Sequence, residues 1–464
     1  MNGEQKTNSF SSKIGLIMAA AGSAVGLGNI WKFPYIAGQN GGSAFLIVYL
    51  ICVLLFGLPL LMTEFLIGKR ARKSAYGAFR ALGSNNRWQW LSWLSMLTSF
   101  LIMGFYFVVT GWCFNYLIEA FANAFNGLDS AELTAHFNAF VGNAPRMIVF
   151  SLVPVVLTAV VLWFDVNKGI EKLSKILMPL LLIMMFLMAG RVLMLDGSNV
   201  GMRFFFQADF SKITPNVILE AMGQCFFSLS IGMGALITYG SYMPKNQNVL
   251  ATSIQVIVLD TIVALLAGII IFPAVFAFGF DPAEGPELVF VVLPAIFEQM
   301  SFAWGSGVLF FSLLCIAALT STISLMEVAV AFICEASAMP MGKAQRARSL
   351  NRHQSVLLVS ALLVVIIVLC VLSMTGKLSW LTIFGYNLFD AFDKITSCYF
   401  MPLGALGMAV FVGWFLTFFN AKKRNFLLVE RGWKRIGMQI YLVSLRWIVP
   451  IAIVAIFLNS LGVI

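Results

Sequence analysis

Residues 22–29 read GSAVGLGN, and they interrupt an apolar segment that begins near Ile14 and runs to about Ala37. That segment is long enough to cross a bilayer, which takes roughly 20 residues. Its middle holds Gly22, Gly26 and Gly28 together with Ser23 and Asn29. Each glycine costs about 1 kcal/mol against alanine in a helix interior, so the stretch predicts an unwound turn. In lipid, such a turn leaves carbonyls and amides without partners, and it must face protein or a cavity. Freed carbonyls suit a small hard cation, and freed amides suit an anion. The first expectation is therefore an ion and substrate site at mid-membrane.

The composition around this stretch agrees. The chain has 464 residues, 60% hydrophobic and 11% charged, with a mean hydropathy of +0.92. A soluble protein needs far more polar surface, so this is an all-α polytopic membrane protein in contact with a lipid bilayer. Hydropathy predicts eleven spans: 14–37, 42–68, 89–123, 146–164, 171–194, 214–241, 248–278, 303–337, 354–375, 381–418 and 437–462. These leave no space for a separate soluble domain, so 1–464 reads as one transporter-sized unit. The N-terminal MNGEQKTNSFSSK is polar and lacks a cleavage site after a short apolar core, so the first span reads as retained.

Lysine and arginine set the orientation. Lys69, Arg70, Arg72, Lys73, Arg80 and Arg87 follow the second span, and Lys168, Lys172 and Lys175 lie in the loop near 165–175. Lys343, Arg346, Arg348 and Arg352 fall in one later loop, and Lys422, Lys423, Arg424, Arg431, Lys434 and Arg435 in another. All lie on one side with Lys6 and Lys13, whereas 281–298 holds four acids and no base. The N-terminus is expected in the cytoplasm and, with an odd span count, the C-terminus outside. The net charge of +10 thus reflects membrane orientation and not nucleic acid. The seven cysteines show no metal spacing, and His136 and His353 form no cluster, so neither a disulfide framework nor a metal or histidine-based enzyme site is expected.

A second interruption lies at 222–242, where SLSIGMG again puts hydroxyls and glycines inside an apolar span. Close helix packing through small residues is the ordinary explanation of one such cluster. Two, in the first and sixth spans, sit at matching positions of two five-span halves, 14–194 and 214–418, with 437–462 peripheral. Paired broken helices signal an inverted-repeat transporter, a rule drawn in part from the family named next.

AAAGSAVGLGNIWKFPYIAGQNGGSAF (19–45), GLPLLMTEFLIGK (57–69), KGIEKLSKILMP (168–179), GQCFFSLSIGMGALITYGSY (223–242) and ALTSTISLMEV (318–328) together resemble the neurotransmitter:sodium symporter family, and within it the bacterial amino-acid transporters. The match covers nearly the whole chain. It implies the LeuT-type inverted-repeat transporter fold (5+5 helices) plus one extra C-terminal helix, in a bacterial inner membrane. It also implies a sodium-coupled symporter, not an enzyme, importing a neutral, hydrophobic or aromatic L-amino acid by alternating access. An amino-acid-binding sensor of the same fold, without net transport, is the alternative.

The resemblance implies two sodium sites. Ala24, Asn29, Ser228 and Asp260 correspond to the first, with Asn29 offering its side-chain oxygen and the substrate carboxylate completing the shell. Gly22, Val25, Ala317, Thr320 and Ser321 correspond to the second. The implied substrate pocket is Ala24, Leu27, Gly28, Ile102, Tyr106, Phe227, Ser230, Met233, Ser321 and Leu325, with the Leu27 and Gly28 amides holding the carboxylate. Gly26 stands where monoamine transporters carry aspartate, so the substrate is expected to bring its own carboxylate. Met233 replaces a bulky aromatic and admits larger or aromatic side chains.

An intramembrane carboxylate is costly, which marks Asp260 as functional on its own account. Chloride is not expected, since Asp260 supplies negative charge. Lys32 and Asp393 match the outer gate pair, with Phe33, Tyr106 and Phe227 as aromatic lids. For the inner gate the expectation is Lys6 with Glu335, capped by Tyr242. Glu64 is expected to anchor the first broken helix, and Glu327 is read as structural.

Overall fold

A computed structural model of the chain describes residues 9–83, 86–282, 288–338, 350–419 and 435–460. Helices start where the sequence supplies caps. Ser12 accepts from the Gly15 amide, Thr214 from Val217 ahead of Pro215, and Asn248 from Ala251. Asn351 and Gln354 form a reciprocal capping box.

Among the described residues, nine helices are long and apolar enough to cross a membrane. Lys13–Ala24 and Gly28–Gln39 form a further span, bent by 48°. Pro215–Ser228 and Ala235–Ser241 make the sixth, interrupted at 229–234. These account for the eleven expected segments. The connecting stretches also fold. Ser130–Gly142 and Ser198–Phe206 are helices, and the acidic segment 281–298 contains the apolar helix Leu288–Gln299. Its run LVFVVLPAIF is too short to span and instead buries Leu288 to Phe297 against the bundle. A hairpin pairing Thr382–Ile383 with Tyr386–Asn387 leads into the tenth span, Leu388–Thr417. Lys6 and the basic stretches 343–348 and 422–434 lie outside the described residues.

The two interruptions are the centre of the fold. Val25 leaves the helix at ψ 111° while its amide still reaches the Ala21 carbonyl at 2.6 Å. Asn29 and Ile30 then donate to the Gly26 carbonyl at 3.1 and 3.3 Å, starting the second half. In the sixth span Ser230, Gly232 and Gly234 take φ of 54°, 92° and 80°. A Cβ on Gly232 would also strike the backbone of Met401, 2.9 Å from its Cα. Gly232→Ala therefore meets a forbidden backbone region and a rigid neighbour together, at a cost of at least about 1–3 kcal/mol. Thermal unfolding should show a clear loss for Gly232→Ala and none for Gly223→Ala, where the added carbon meets nothing within 4 Å.

Candidate functional site

The two breaks touch. The Ser230 hydroxyl donates to the Ser23 carbonyl at 2.8 Å, and the Gln224 amide donates to the Gly28 carbonyl at 2.8 Å. Between them lies a cavity of about 330 Å³. Nine of the ten expected pocket residues line it: Ala24, Gly28, Ile102, Tyr106, Phe227, Ser230, Met233, Ser321 and Leu325. Ser23 and Gly26 also line it, while Leu27 does not; its amide donates to the Tyr106 hydroxyl at 3.0 Å. Gly26 is hemmed in. A Cβ there would stand 2.6 Å from the Tyr106 hydroxyl and closer still to the Ser321 hydroxyl.

Asp260 is fully buried beside this cavity. Its Oδ1 accepts from Asn29 Nδ2 at 2.8 Å and from the Ser228 hydroxyl at 3.0 Å, and Oδ2 accepts from the Tyr49 hydroxyl at 3.3 Å. All three donors are neutral. Among the described residues no basic side chain pairs with Asp260. A buried carboxylate flanked by two hydroxyls and a side-chain amide is a donor set suited to a hard cation. One detail differs from expectation. Asn29 turns its nitrogen to Asp260 and its oxygen to the Gly26 amide, 3.3 Å away. The carboxylate, an acceptor only, selects the donor end of the amide. A half-turn of the amide exchanges the two ends. Tyr49 was missed by sequence reasoning; a lone hydroxyl within the apolar run FLIVYLI was the available signal.

A second oxygen cluster forms where the first break meets the eighth span, Ala303–Ser337. The Ser321 hydroxyl lies 3.4 Å from the Gly22 carbonyl and 3.2 Å from that of Val25, and donates to both. The Thr320 hydroxyl donates to the Ala317 carbonyl at 2.9 Å. Ser321 thus reaches the Gly22 and Val25 carbonyls, which unwinding frees from helical partners, and the Thr320 side chain packs beside Gly22, while the Thr320–Ala317 bond stays within the eighth span.

The cavity is closed on both sides. On one, Lys32 pairs with Asp393 at 3.2 Å and stands 4.3 Å from the centre of the Phe227 ring. Phe33 does not join this lid; it is buried against Phe45 and Tyr49 at 5.7 and 5.0 Å between ring centres. On the other side Lys6, one half of the expected pair, lies outside the described residues. Glu335 spends its carboxylate on the amides of Ser74 and Gly77, at 2.7 and 3.1 Å. Tyr242 instead donates to Glu327 at 2.7 Å, and Arg352 grips the same carboxylate with two nitrogens at 3.0 and 2.7 Å. Arg352 also donates to the Leu162 carbonyl at 2.9 Å. Glu327 is fully buried, so charge neutralisation outweighs any alternative for Arg352. Phe10 seals this face, its amide on the Tyr242 carbonyl at 3.0 Å and its ring edge-on to Tyr239. Glu64 likewise departs from expectation. It accepts from the Gly232 amide at 2.7 Å and so supports the second break, not the first.

The sequence profile of the Sodium:neurotransmitter symporter family matches residues 7–132 and 139–463. An uncharacterized sodium-dependent transporter of Bacillus subtilis is 38% identical over 99% of both chains. One of Haemophilus influenzae is 34% identical over 99% of both chains. The crystal structure of MhsT in complex with L-phenylalanine shares 39% identity over 98% of this chain and 99% of that one, at a TM-score of 0.87.

Proposed function

The chain belongs to the sodium:neurotransmitter symporter family, and from that premise we propose that it imports neutral, hydrophobic or aromatic L-amino acids together with sodium, by alternating access. It has the LeuT-type fold of its structural relative and is a membrane-spanning transporter, not an enzyme. The cavity between the two breaks carries the substrate reading. Ile102, Met233 and Leu325 make its walls apolar, and among the described residues no charged side chain lines it. A charged amino-acid side chain would enter unpaired, at high cost. The Gly28 amide, at the start of a half-helix, is placed to hold a carboxylate. MhsT was solved with L-phenylalanine, which has the chemistry these walls would accept.

Two sodium ions are proposed as co-substrates. One sits among Ala24, Asn29, Ser228 and Asp260, with the Asn29 amide turned by a half-turn, and the other among Gly22, Val25, Ala317, Thr320 and Ser321. Binding from outside orders the breaks and completes the substrate site. The Lys32–Asp393 side then closes, and the Tyr242–Glu327–Arg352 side opens. Each ion yields about 1.4 kcal/mol per tenfold gradient and about 2.3 kcal/mol per 100 mV. We place the protein in a bacterial inner membrane with its N-terminus cytoplasmic and its C-terminus outside, and read 14–194 and 214–418 as two inverted five-helix repeats.

Labelled L-phenylalanine should accumulate in proteoliposomes under an inward sodium gradient and not when potassium replaces sodium. Exchanging chloride for gluconate should leave uptake unchanged. Binding without accumulation would point to a sensor, and sodium current without substrate to a channel; either would overturn the proposal. A narrower check comes from Gly26→Ala. The added methyl displaces the hydroxyls of Tyr106 and Ser321, so substrate affinity should fall by at least roughly tenfold, about 1.4 kcal/mol. Unchanged binding, measured on folded protein, would show that Gly26 does not shape the site.

A further inference from the structure

A groove of about 1040 Å³ lies at the Lys32–Asp393 end of the bundle, between the hairpin 382–387 and the first turns of the tenth span. Ile383, Ile395, Tyr399 and Phe400 give it apolar walls, and among the described residues Lys394 is the one charged residue lining it. Tyr399 stacks on Phe457 of the last span, Gly437–Leu458, with ring centres 6.5 Å apart, so the groove floor reaches the outside of the bundle. The hairpin presents Phe384 and Tyr386 outward, and Trp380 beside it is 76% exposed. Exposed aromatics at a span end are the signature of a membrane–water interface.

Lys394 is held at the mouth. Its ammonium donates to the Tyr386 hydroxyl at 2.7 Å and stands 4.4 Å from the centre of that ring. No carboxylate pairs with it among the described residues. The neighbouring Asp393 faces the other way, toward Lys32. An apolar trough with an uncompensated cation at its interfacial edge matches a molecule with a hydrocarbon chain and an anionic head.

We propose that this groove binds one anionic phospholipid of the leaflet on the Lys32–Asp393 side. Its phosphate meets Lys394, and an acyl chain lies along Ile395, Tyr399 and Phe400. A lysine at the end of a span extends its ammonium to the headgroup layer while its stem stays on apolar surface. One basic group near a membrane surface favours an anionic over a neutral lipid by roughly fivefold. Since Asp393 leaves the same helical turn about 100° away, the lipid steadies the helix that carries the Lys32–Asp393 ion pair.

The test is native mass spectrometry of the full-length protein with phosphatidylglycerol and phosphatidylcholine of matched chains. Wild type should retain phosphatidylglycerol roughly fivefold over phosphatidylcholine. Lys394→Ala should bring the two to parity, Lys394→Arg should keep the preference, and Ile395→Trp, which fills the trough, should reduce retention of both. Unfolding midpoints equal to wild type confirm that each variant is folded. A wild type without preference, or a preference that survives Lys394→Ala, overturns the proposal. So does displacement of the lipid by inorganic phosphate alone, which would show that the head is bound without the chain.

Discussion

Asp260→Asn is expected to abolish sodium-dependent accumulation while leaving a folded protein. The substitution keeps the size and one oxygen but removes the charge. At contact distance a unit-charge pair is worth on the order of 4 kcal/mol at an effective dielectric constant of about 20. Losing it should weaken sodium binding by roughly two to three orders of magnitude. The neutral donors around Asp260 make this a clean test. Asn29, Ser228 and Tyr49 can rearrange around an amide, and no partner cation is left stranded, so folding should survive. Sodium titration of substrate binding, with thermal unfolding as the fold control, reads the effect. A sodium midpoint unchanged in Asp260→Asn would remove this carboxylate from the ion site.

Arg352→Ala is expected to have the largest effect outside the cavity. Glu327 is fully buried and Arg352 supplies both of its charged contacts. Removing one member of a buried pair strands the other, typically at about 3–5 kcal/mol. On the proposed orientation this is the inner face, which has two ways to relieve the charge: to open to water or to unfold. Thermal unfolding and alkylation of a cysteine introduced on the inner face separate the two. Rapid alkylation with a preserved unfolding midpoint means that the pair holds the inner face shut. The double variant Arg352→Met with Glu327→Leu should recover most of the stability, since no charge then remains buried. Wild-type stability and wild-type alkylation in Arg352→Ala would show the pair to be inert.

Much of the site could be read in the sequence because its cause is local. Gly22, Gly26 and Gly28 weaken one turn wherever it lies, and lipid forbids that turn from facing outward. The same holds for SLSIGMG. Asp260 announced itself as a carboxylate in an apolar run. Membrane spans and their order followed from hydropathy, and even the missed helix Leu288–Gln299 was visible as an apolar run too short to cross.

What the tertiary structure decided is which side chain each polar group chose. Asn29 could offer nitrogen or oxygen to Asp260, and an anion facing it selects nitrogen. Two glutamates lie about two turns apart on the eighth span, and Tyr242 meets Glu327, which Arg352 anchors. Glu335 had backbone amides of the segment after the second span within reach. Glu64 went to the break on the far side of the sequence, 168 residues away. Where the backbone must break and which charges must be buried were legible in the chain, since both are costs set within one turn of helix. Partners were settled only by packing, because a buried charge takes whichever donor the assembled helices bring within about 3 Å, and chain distance carries no record of that.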